Sequence, residues 1–197
     1  MTFVLMGRSG CGKGTQADLL IERLKATGIV SDKNPLFYLE MGDKFRELIN
    51  GTSHTSRLAK TVMEKSERQP SFLAISIWSS LLVENLMGDE NIIIDGTPRA
   101  LIEAEALDTA MKFYGRENVC VIHLDVSREW AKNRLEERGR GDDKKPGDID
   151  RRLDWFEKDV VPAINYFEIN PDYNYLKING EQSIEDVHAE IITKLGF

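Results

Sequence analysis

Cysteine, aromatic residues and long apolar segments are all scarce in this chain of 197 residues. Its two cysteines, Cys11 and Cys120, lack the paired spacing of a zinc site or a disulfide framework, so we expect a reducing, cytoplasmic environment. No run of about 18 consecutive apolar residues occurs, and no basic patch followed by a long apolar segment begins the chain. We therefore expect neither a membrane span nor secretion.

An excess of positive charge is also missing. Lysine and arginine total 26 against 33 acidic residues, which gives a formal net charge of -7 at pH 7. Nucleic-acid backbones are held mainly by surplus lysine and arginine spread over one face, so this composition argues against a nucleic-acid partner. Any phosphate ligand must instead meet a local cluster of basic side chains. With 41% apolar residues, the length fits one globular domain, residues 1–197, with small inserted lobes.

The chain does contain short apolar runs that alternate with longer stretches of helical spacing. The runs are Phe3 to Met6, Leu36 to Leu39, Asn91 to Asp95, Val119 to Asp125 and Tyr173 to Ile178. This order predicts an α/β domain of three layers with a parallel five-stranded sheet. Ligands of such sheets gather at the carboxyl ends of the strands, where Gly7, Asp95 and Asp125 would meet.

Two segments interrupt this alternation. Residues 42–88 have room for three helices, Lys44 to Asn50, Ser56 to Ser66 and Phe72 to Leu86, with Pro70 separating the last two. We interpret residues 41–72 as a small inserted helical lobe. Residues 139–147 combine three glycines and a proline with charged side chains and are interpreted as a short mobile lid.

The most informative segment is a glycine-rich loop directly after the first apolar run. Residues 7–15 read Gly-Arg-Ser-Gly-Cys-Gly-Lys-Gly-Thr and precede a stretch with helical spacing. Glycines allow successive backbone N–H groups to turn toward an anion, and the following helix presents its positive end to the same anion. Lys13 adds charge for the outer phosphates, and Thr15 is the predicted phosphate or magnesium neighbour. For Cys11, a small filler residue is the simpler interpretation.

Two further groups of polar residues accompany this phosphate loop. Asp95 ends a predicted strand and precedes Gly96-Thr97-Pro98-Arg99, which suits a carboxylate in a magnesium shell beside a forked phosphate contact from Arg99. Five arginines lie in or beside the predicted lid: Arg134, Arg138, Arg140, Arg151 and Arg152. They can close over a phosphate, although taken alone they would equally suit a solvated face paired with acidic neighbours.

Together, these segments resemble the adenylate kinase family of nucleoside monophosphate kinases over nearly the whole chain. The resemblance rests on residues 7–16 with their Lys-Gly-Thr-Gln ending, on Gly-Asp-Lys-Phe-Arg at 42–46, on Asp-Gly-Thr-Pro-Arg at 95–99, and on residues 140–153. It implies a P-loop α/β core with two mobile lobes, ATP as donor, Mg2+, and a nucleoside monophosphate as acceptor. It also implies a short lid without a zinc site, and a monomer.

Carried over by position, the resemblance implies a role for each matching residue. Donor binding falls to Gly10, Cys11, Gly12, Lys13, Gly14, Thr15 and Arg134. Acceptor binding falls to Met41, Arg46, Gly96, Arg99 and Glu103. Phosphoryl transfer would depend on Lys13, Arg99, Arg138, Arg140 and Arg152, and the metal on Thr15 and, through water, Asp95.

The residues expected at the acceptor base depart from the family's adenine pattern. Glu40-Met41 stand in place of Ser-Thr, Thr97 in place of Phe, and Glu103 in place of Gln. An ionised Glu103 only accepts hydrogen bonds, which suits guanine or cytosine, and the structural alternative is an early-helix carboxylate favoured by the helix dipole. AMP is the first choice of acceptor, with GMP, CMP or UMP as alternatives.

Two other functions stay open at this point. A nucleotide-binding regulator with little turnover would keep the phosphate loop, but it would not need the full set of arginines. Transfer from ATP to another small acceptor is the second, but Arg46 and Arg99 make sense only if the acceptor already carries a phosphate. The tryptophans, Trp78, Trp130 and Trp155, fall on predicted helices, where packing is their expected role.

Overall fold

The computed structural model describes residues 1–139 and 147–197 and shows a parallel sheet covered by helices on both faces. Its strands are β1 (Thr2–Gly7), β2 (Leu36–Glu40), β3 (Asn91–Asp95), β4 (Val119–Asp125) and β5 (Tyr173–Asn179). They lie in the order β2-β3-β1-β4-β5, and every neighbouring pair is parallel. The predicted α/β class and the five-stranded parallel sheet are confirmed.

Helices connect the strands. They are α1 (Lys13–Ala26), α2 (Met41–Ile49), α3 (His54–Glu64), α4 (Ser71–Asn85), α5 (Leu101–Phe113), α6 (Arg128–Arg138), α7 (Asp148–Trp155), α8 (Val161–Ile169) and α9 (Ile184–Leu195). A π-helical turn, Phe156–Val160, joins α7 to α8. Pro162 follows this turn and lacks the N–H that would bond the carbonyl four residues earlier, which accounts for the wider hydrogen-bonding pattern.

The strands have continuous apolar runs because both faces of the sheet are buried. Ile92 and Ile94 belong to a core cluster with residues of α4, α5 and α8, whereas Ile93 belongs to a cluster with residues of α1 and α9. All three are 0% exposed. Burial of one isoleucine side chain contributes about 1.5–3 kcal/mol, so this strand anchors helices on both sides of the sheet.

Local chemistry sets where several helices begin. The serines before α3, α6 and α9, which are Ser53, Ser127 and Ser183, each accept a hydrogen bond from the backbone N–H three residues later. Such a cap contributes about 1 kcal/mol. Helix α2 begins at Met41, directly after β2, and not at the predicted Lys44. Residue 42 is a glycine, which leaves room for the Arg46 side chain one turn later in α2, because a Cβ at residue 42 would lie 3.1 Å from Arg46 Nη1.

Three helices therefore occupy the segment 42–88, as predicted. The bounds of the lobe, 41–72, and of the lid, 139–147, remain predictions. Arg140 and most of the predicted lid lie outside the described residues. Within the described ranges, no helix is long and apolar enough to cross a membrane.

Candidate active site

A cleft of about 480 Å³ opens beside the last residues of β2 and β3 and the loop after β1. Asp95 pairs with Leu5 of β1 and with Glu40 of β2, so the segments that follow these strands start side by side. Neighbouring strands are about 4.8 Å apart. The predicted site residues that line the cleft are Gly10, Gly12, Lys13, Gly14, Thr15, Arg46, Asp95, Gly96, Arg99, Arg134, Arg138 and Arg152.

Three predicted residues lie apart from this cleft. Cys11 is 3% exposed and packs into a hydrophobic cluster. Met41 and Glu103 are 0% and 1% exposed and border a second cavity, of about 10 Å³, which shares Arg99 and Gly96 with the cleft. Asp125 does lie at the expected edge of the sheet, but its carboxylate pairs with Lys177.

The phosphate loop has the backbone geometry that its glycines allow. Gly10 and Gly12 have φ angles of +85° and +94°, a region that glycine enters without steric cost. Helix α6 packs closely on the loop, because a Cβ at Gly10 would lie 2.9 Å from Leu135 Cγ. Helix α1 begins at Lys13, so the unpaired N–H groups of its first turn belong to the cleft wall.

Lys13 and Cys11 have different environments within this loop. The Lys13 ammonium donates to the backbone carbonyls of Gly7 and Arg8, at 2.9 Å each, which keeps its charge beside the loop. Burial raises the pKa of the Cys11 thiol, and the nearby Lys13 only partly opposes this. Cys11 is therefore a protonated, buried side chain, which agrees with the filler interpretation.

Asp95 lies between the phosphate loop and the side of the cleft that Arg46 lines. It is 6% exposed, and its Oδ1 has no hydrogen-bond partner among residues 1–139 and 147–197. Burial raises the pKa of its carboxyl, while Lys13 and Arg99 act to lower it. A buried carboxylate oxygen with spare capacity beside a phosphate loop fits a hydrated Mg2+, which takes one or two carboxylates and keeps several waters. The described residues contain no group of three acidic, His or Cys side chains that could hold a metal alone.

Arg46 is balanced by two carboxylates. Its Nε donates to Asp43 Oδ1 at 2.9 Å, and its Nη2 donates to Glu40 Oε1 at 2.9 Å. Burial, together with the neighbouring Asp43, raises the pKa of Glu40. Glu40 therefore gives up its charge more readily than an ordinary glutamate when another anion approaches Arg46.

Glu103 holds the turn that carries Arg99. Its Oε2 accepts from the Arg99 backbone N–H at 2.7 Å and from Thr97 Oγ1 at 3.4 Å, and its Oε1 accepts from Arg68 Nη1 at 2.9 Å. The Arg99 side chain donates from Nε to the carbonyl of Gly96 at 2.5 Å. Sequence reasoning missed Arg68, because no motif marks a cation in the connection between α3 and α4 that reaches a carboxylate of α5.

The remaining arginines converge from the two helices that flank the predicted lid. Arg138 ends α6 and Arg152 belongs to α7, and both line the cleft. Arg134 also lines the cleft, and its guanidinium carbon lies 5.1 Å from the centroid of the Trp130 ring. An arginine already stacked on an indole is well disposed to stack on a nucleotide base.

Gln69 and Trp155 are among the cleft residues that were not predicted as site residues. Gln69 borders both cavities, and its Oε1 has no hydrogen-bond partner within the described ranges. Trp155 lines the cleft as well as packing against the larger core cluster, whereas Trp78 is a core residue, as expected. The sequence carried a signal for Trp155, because it lies three residues after Arg152 and so shares its helix face.

Comparison with known proteins decides the family. Residues 5–171 match the family model for adenylate kinase. The chain is 31% identical to an adenylate kinase of Flavobacterium psychrophilum, with 99% of this chain and 100% of that protein covered. The chain belongs to the adenylate kinase family. Adenylate kinase 1 of a Nostoc species is 30% identical with 98% and 97% covered, and the adenylate kinase of Oenococcus oeni is 29% identical with 92% and 91% covered.

Membership in the adenylate kinase family confirms the resemblance inferred from the motifs. The chain is an ATP-dependent phosphotransferase of the nucleoside monophosphate kinase class. An adenylate kinase must bring two phosphorylated nucleotides together, and the cleft has basic side chains on both of its walls, Lys13 on one and Arg46 and Arg99 on the other.

Proposed function

We propose that this protein transfers the γ-phosphoryl group of Mg-ATP to AMP and so forms two ADP. One observation carries the proposal: a phosphate loop and a pair of arginines border one cleft, with Asp95 between them. Phosphoryl transfer asks a protein mainly to align two phosphates and to neutralise their repulsion, and it needs no side-chain nucleophile. The relatives named adenylate kinase support AMP as the acceptor.

On the donor side, the loop residues would hold ATP. Backbone N–H groups of Gly10, Gly12 and Gly14 would surround the outer phosphates, and Lys13 would exchange its bonds to the Gly7 and Arg8 carbonyls for phosphate oxygens. When bound, magnesium would supply positive charge at the phosphates. Thr15 and Asp95 would hold that ion, Asp95 through water, and the spare acceptor capacity of Asp95 Oδ1 supports this role.

On the acceptor side, Arg46 and Arg99 would bind the phosphate of AMP. Arg46 would release Glu40 or Asp43 as it takes up the phosphate, and the raised pKa of Glu40 makes that exchange easier. Gly96 would allow the Arg99 guanidinium to lie close to the backbone, since a Cβ at residue 96 would lie 3.0 Å from Arg99 Nη2. Met41 and Glu103, which border the smaller cavity beside Gly96 and Arg99, would adjoin the base from behind these two residues.

Around the transferred group, Arg138, Arg140 and Arg152 would neutralise the developing charge, and Arg134 would stack on the donor base. Closure of the helical lobe and the lid would exclude water, which otherwise accepts the phosphoryl group. We further propose that the protein works in the cytoplasm as a monomer.

The test is product formation from purified protein, Mg-ATP and each of AMP, GMP, CMP, UMP and dTMP in turn. We expect ADP from AMP at a rate well above that with the other acceptors. A preference for another monophosphate would make this a kinase of different base specificity. If no acceptor yields a diphosphate, the protein is a nucleotide-binding regulator and the proposal fails.

A further inference from the structure

Trp155 is a cleft residue to which none of the motifs assigns a role. It ends α7, its ring packs against the larger core cluster, and it also lines the cleft. The guanidinium carbon of Arg99 lies 5.8 Å from the centroid of its ring, within the range of a cation–π contact. Arg152, one turn earlier on the same helix, lines the cleft too. The indole therefore lies beside Arg99 and Arg152, two cations that would bind phosphate.

The indole N–H of Trp155 is a buried donor, and no partner for it exists among residues 1–139 and 147–197. A buried donor without an acceptor is costly, so each one in a protein calls for an explanation. Trp78 provides an internal comparison, because its Nε1 is also buried and unpaired within the described ranges. Trp78, however, is 2% exposed in the hydrophobic core and does not line the cleft. Of these two tryptophans, Trp155 is the one that lines the cleft.

An anion is the ligand that this combination fits. The donor N–H belongs to a ring whose face is already covered by the Arg99 guanidinium, and both groups attract negative charge. A phosphate oxygen bound by Arg99 would offer the acceptor that the indole N–H lacks, and a hydrogen bond to a charged acceptor is about twice as strong as one between neutral groups. To reach such an oxygen, the buried N–H would have to turn toward the cleft as the monophosphate binds.

We propose that Trp155 is a further acceptor-binding residue, which donates its Nε1–H to a phosphate oxygen of the monophosphate beside Arg99. The inference rests on the proposed function, because it takes the phosphate held by Arg99 to be that of the acceptor. It assigns Trp155 no contact with ATP. The residue therefore contributes to the affinity for the monophosphate and leaves that for the donor unchanged.

The test compares Trp155→Phe with Trp78→Phe. Both remove an indole N–H and keep an aromatic ring, but only the first removes it at the cleft. We expect Trp155→Phe to weaken the calorimetric Kd for AMP about tenfold and to raise the KM for AMP to a similar extent. The Kd for ATP and the affinity of the Trp78→Phe variant for AMP should both stay within about twofold of the wild type.

Tryptophan fluorescence gives a second, direct readout. Saturating AMP should change the emission of the wild type and of Trp78→Phe, and this change should be absent in Trp155→Phe. Adenosine, which has no phosphate, should bind the wild type and Trp155→Phe equally. An AMP affinity of Trp155→Phe within about twofold of the wild type would overturn the inference, even if its melting temperature fell.

The same data separate this inference from the proposed function. If the wild type binds AMP with the expected dependence on Trp155 but forms no ADP, the proposed transfer fails and the binding role stands. If the wild type forms ADP and Trp155→Phe behaves like it, only the inference fails. If the wild type binds no AMP, both are wrong.

Discussion

The ion pair between Arg68 and Glu103 makes the sharpest quantitative prediction. The Glu103 side chain is 1% exposed and that of Arg68 is 20% exposed, and their charged atoms are 2.9 Å apart. Arg68→Met would leave the Glu103 carboxylate buried with only the Arg99 N–H and the Thr97 hydroxyl as donors. Glu103→Gln would keep an acceptor for the Arg99 N–H and would leave Arg68 its contact with Asp159.

These contacts set the expected magnitudes. Removing one partner of a fully buried pair costs about 3–5 kcal/mol, and the partial exposure of Arg68 reduces this to about 2–3 kcal/mol for Arg68→Met. Glu103→Gln should lower the free energy of unfolding by about 1–2 kcal/mol, because the amide removes the charge but keeps an oxygen that can accept a hydrogen bond. The double variant removes both charges at once, so the coupling energy from the cycle should be about 2 kcal/mol.

Urea unfolding of the four proteins measures this coupling. The control is the same cycle at Lys44 and Glu47, whose side chains are 34% and 66% exposed and whose pair should contribute about 0.5 kcal/mol or less. If the coupling between Arg68 and Glu103 is as small as that of the control, the buried ion pair does not hold the turn as argued. The Glu103→Gln variant also tests base choice. An unchanged ranking of AMP, GMP, CMP and UMP would contradict a base-reading role for Glu103.

Further predictions concern the phosphate loop and a buried histidine. Lys13→Met should reduce kcat by about 100-fold to 1000-fold. Loss of its two bonds to the Gly7 and Arg8 carbonyls should lower the free energy of unfolding by only about 1–2 kcal/mol, so the variant should still fold. A smaller loss of kcat in a steady-state assay would argue against contact of Lys13 with the transferred phosphate. Gly10→Ala should lower the free energy of unfolding in urea by about 2–3 kcal/mol, since it adds a close Cβ contact to an unfavourable φ of +85°. The control is Gly28→Ala, where φ is +75° but the Cβ would enter open space, and it should lower the free energy by about 1 kcal/mol. Burial lowers the pKa of His123 to about 4, below its unfolded value near 6.5, so its contribution to stability is complete above pH 6.5 and is lost as the pH falls toward 4. Between pH 7 and pH 5 the wild type should therefore lose about 2 kcal/mol more than His123→Gln, and equal losses would refute this origin.

The strands were predictable because the sheet is buried on both faces. The run Asn91–Asp95 has three consecutive isoleucines, so both faces of the strand are apolar, and the observed strand has the predicted bounds. The phosphate loop and Asp95 were predictable because each belongs to a motif of a few contiguous residues. Helix α2 was placed three residues late, since Met41-Gly42-Asp43 has no cap signal and the strand passes directly into the helix.

Contacts between distant segments could not be predicted in this way. Arg68 is 35 residues from Glu103 and 91 residues from Asp159, and only the folded chain brings the three side chains together. The same holds for Arg8, which pairs with Glu157 of the π-helical turn. Such pairs depend on the packing of helices on the sheet, and they leave no periodicity or spacing in the sequence.

The pairing of Leu5 with Asp95 has a consequence for how this enzyme family can vary. Main-chain hydrogen bonds between β1 and β3 set the separation between the phosphate loop and Asp95, and these bonds do not depend on side-chain identity. Core residues can therefore be exchanged for others of similar volume while the reacting groups keep their spacing, which suits a chain that shares only about 30% identity with the relatives compared. An inserted or deleted residue within either strand would shift that strand by about 3.3 Å relative to its neighbour. Such a shift would misalign the phosphate loop with Asp95 and would turn the side chains of the strand to the opposite faces of the sheet.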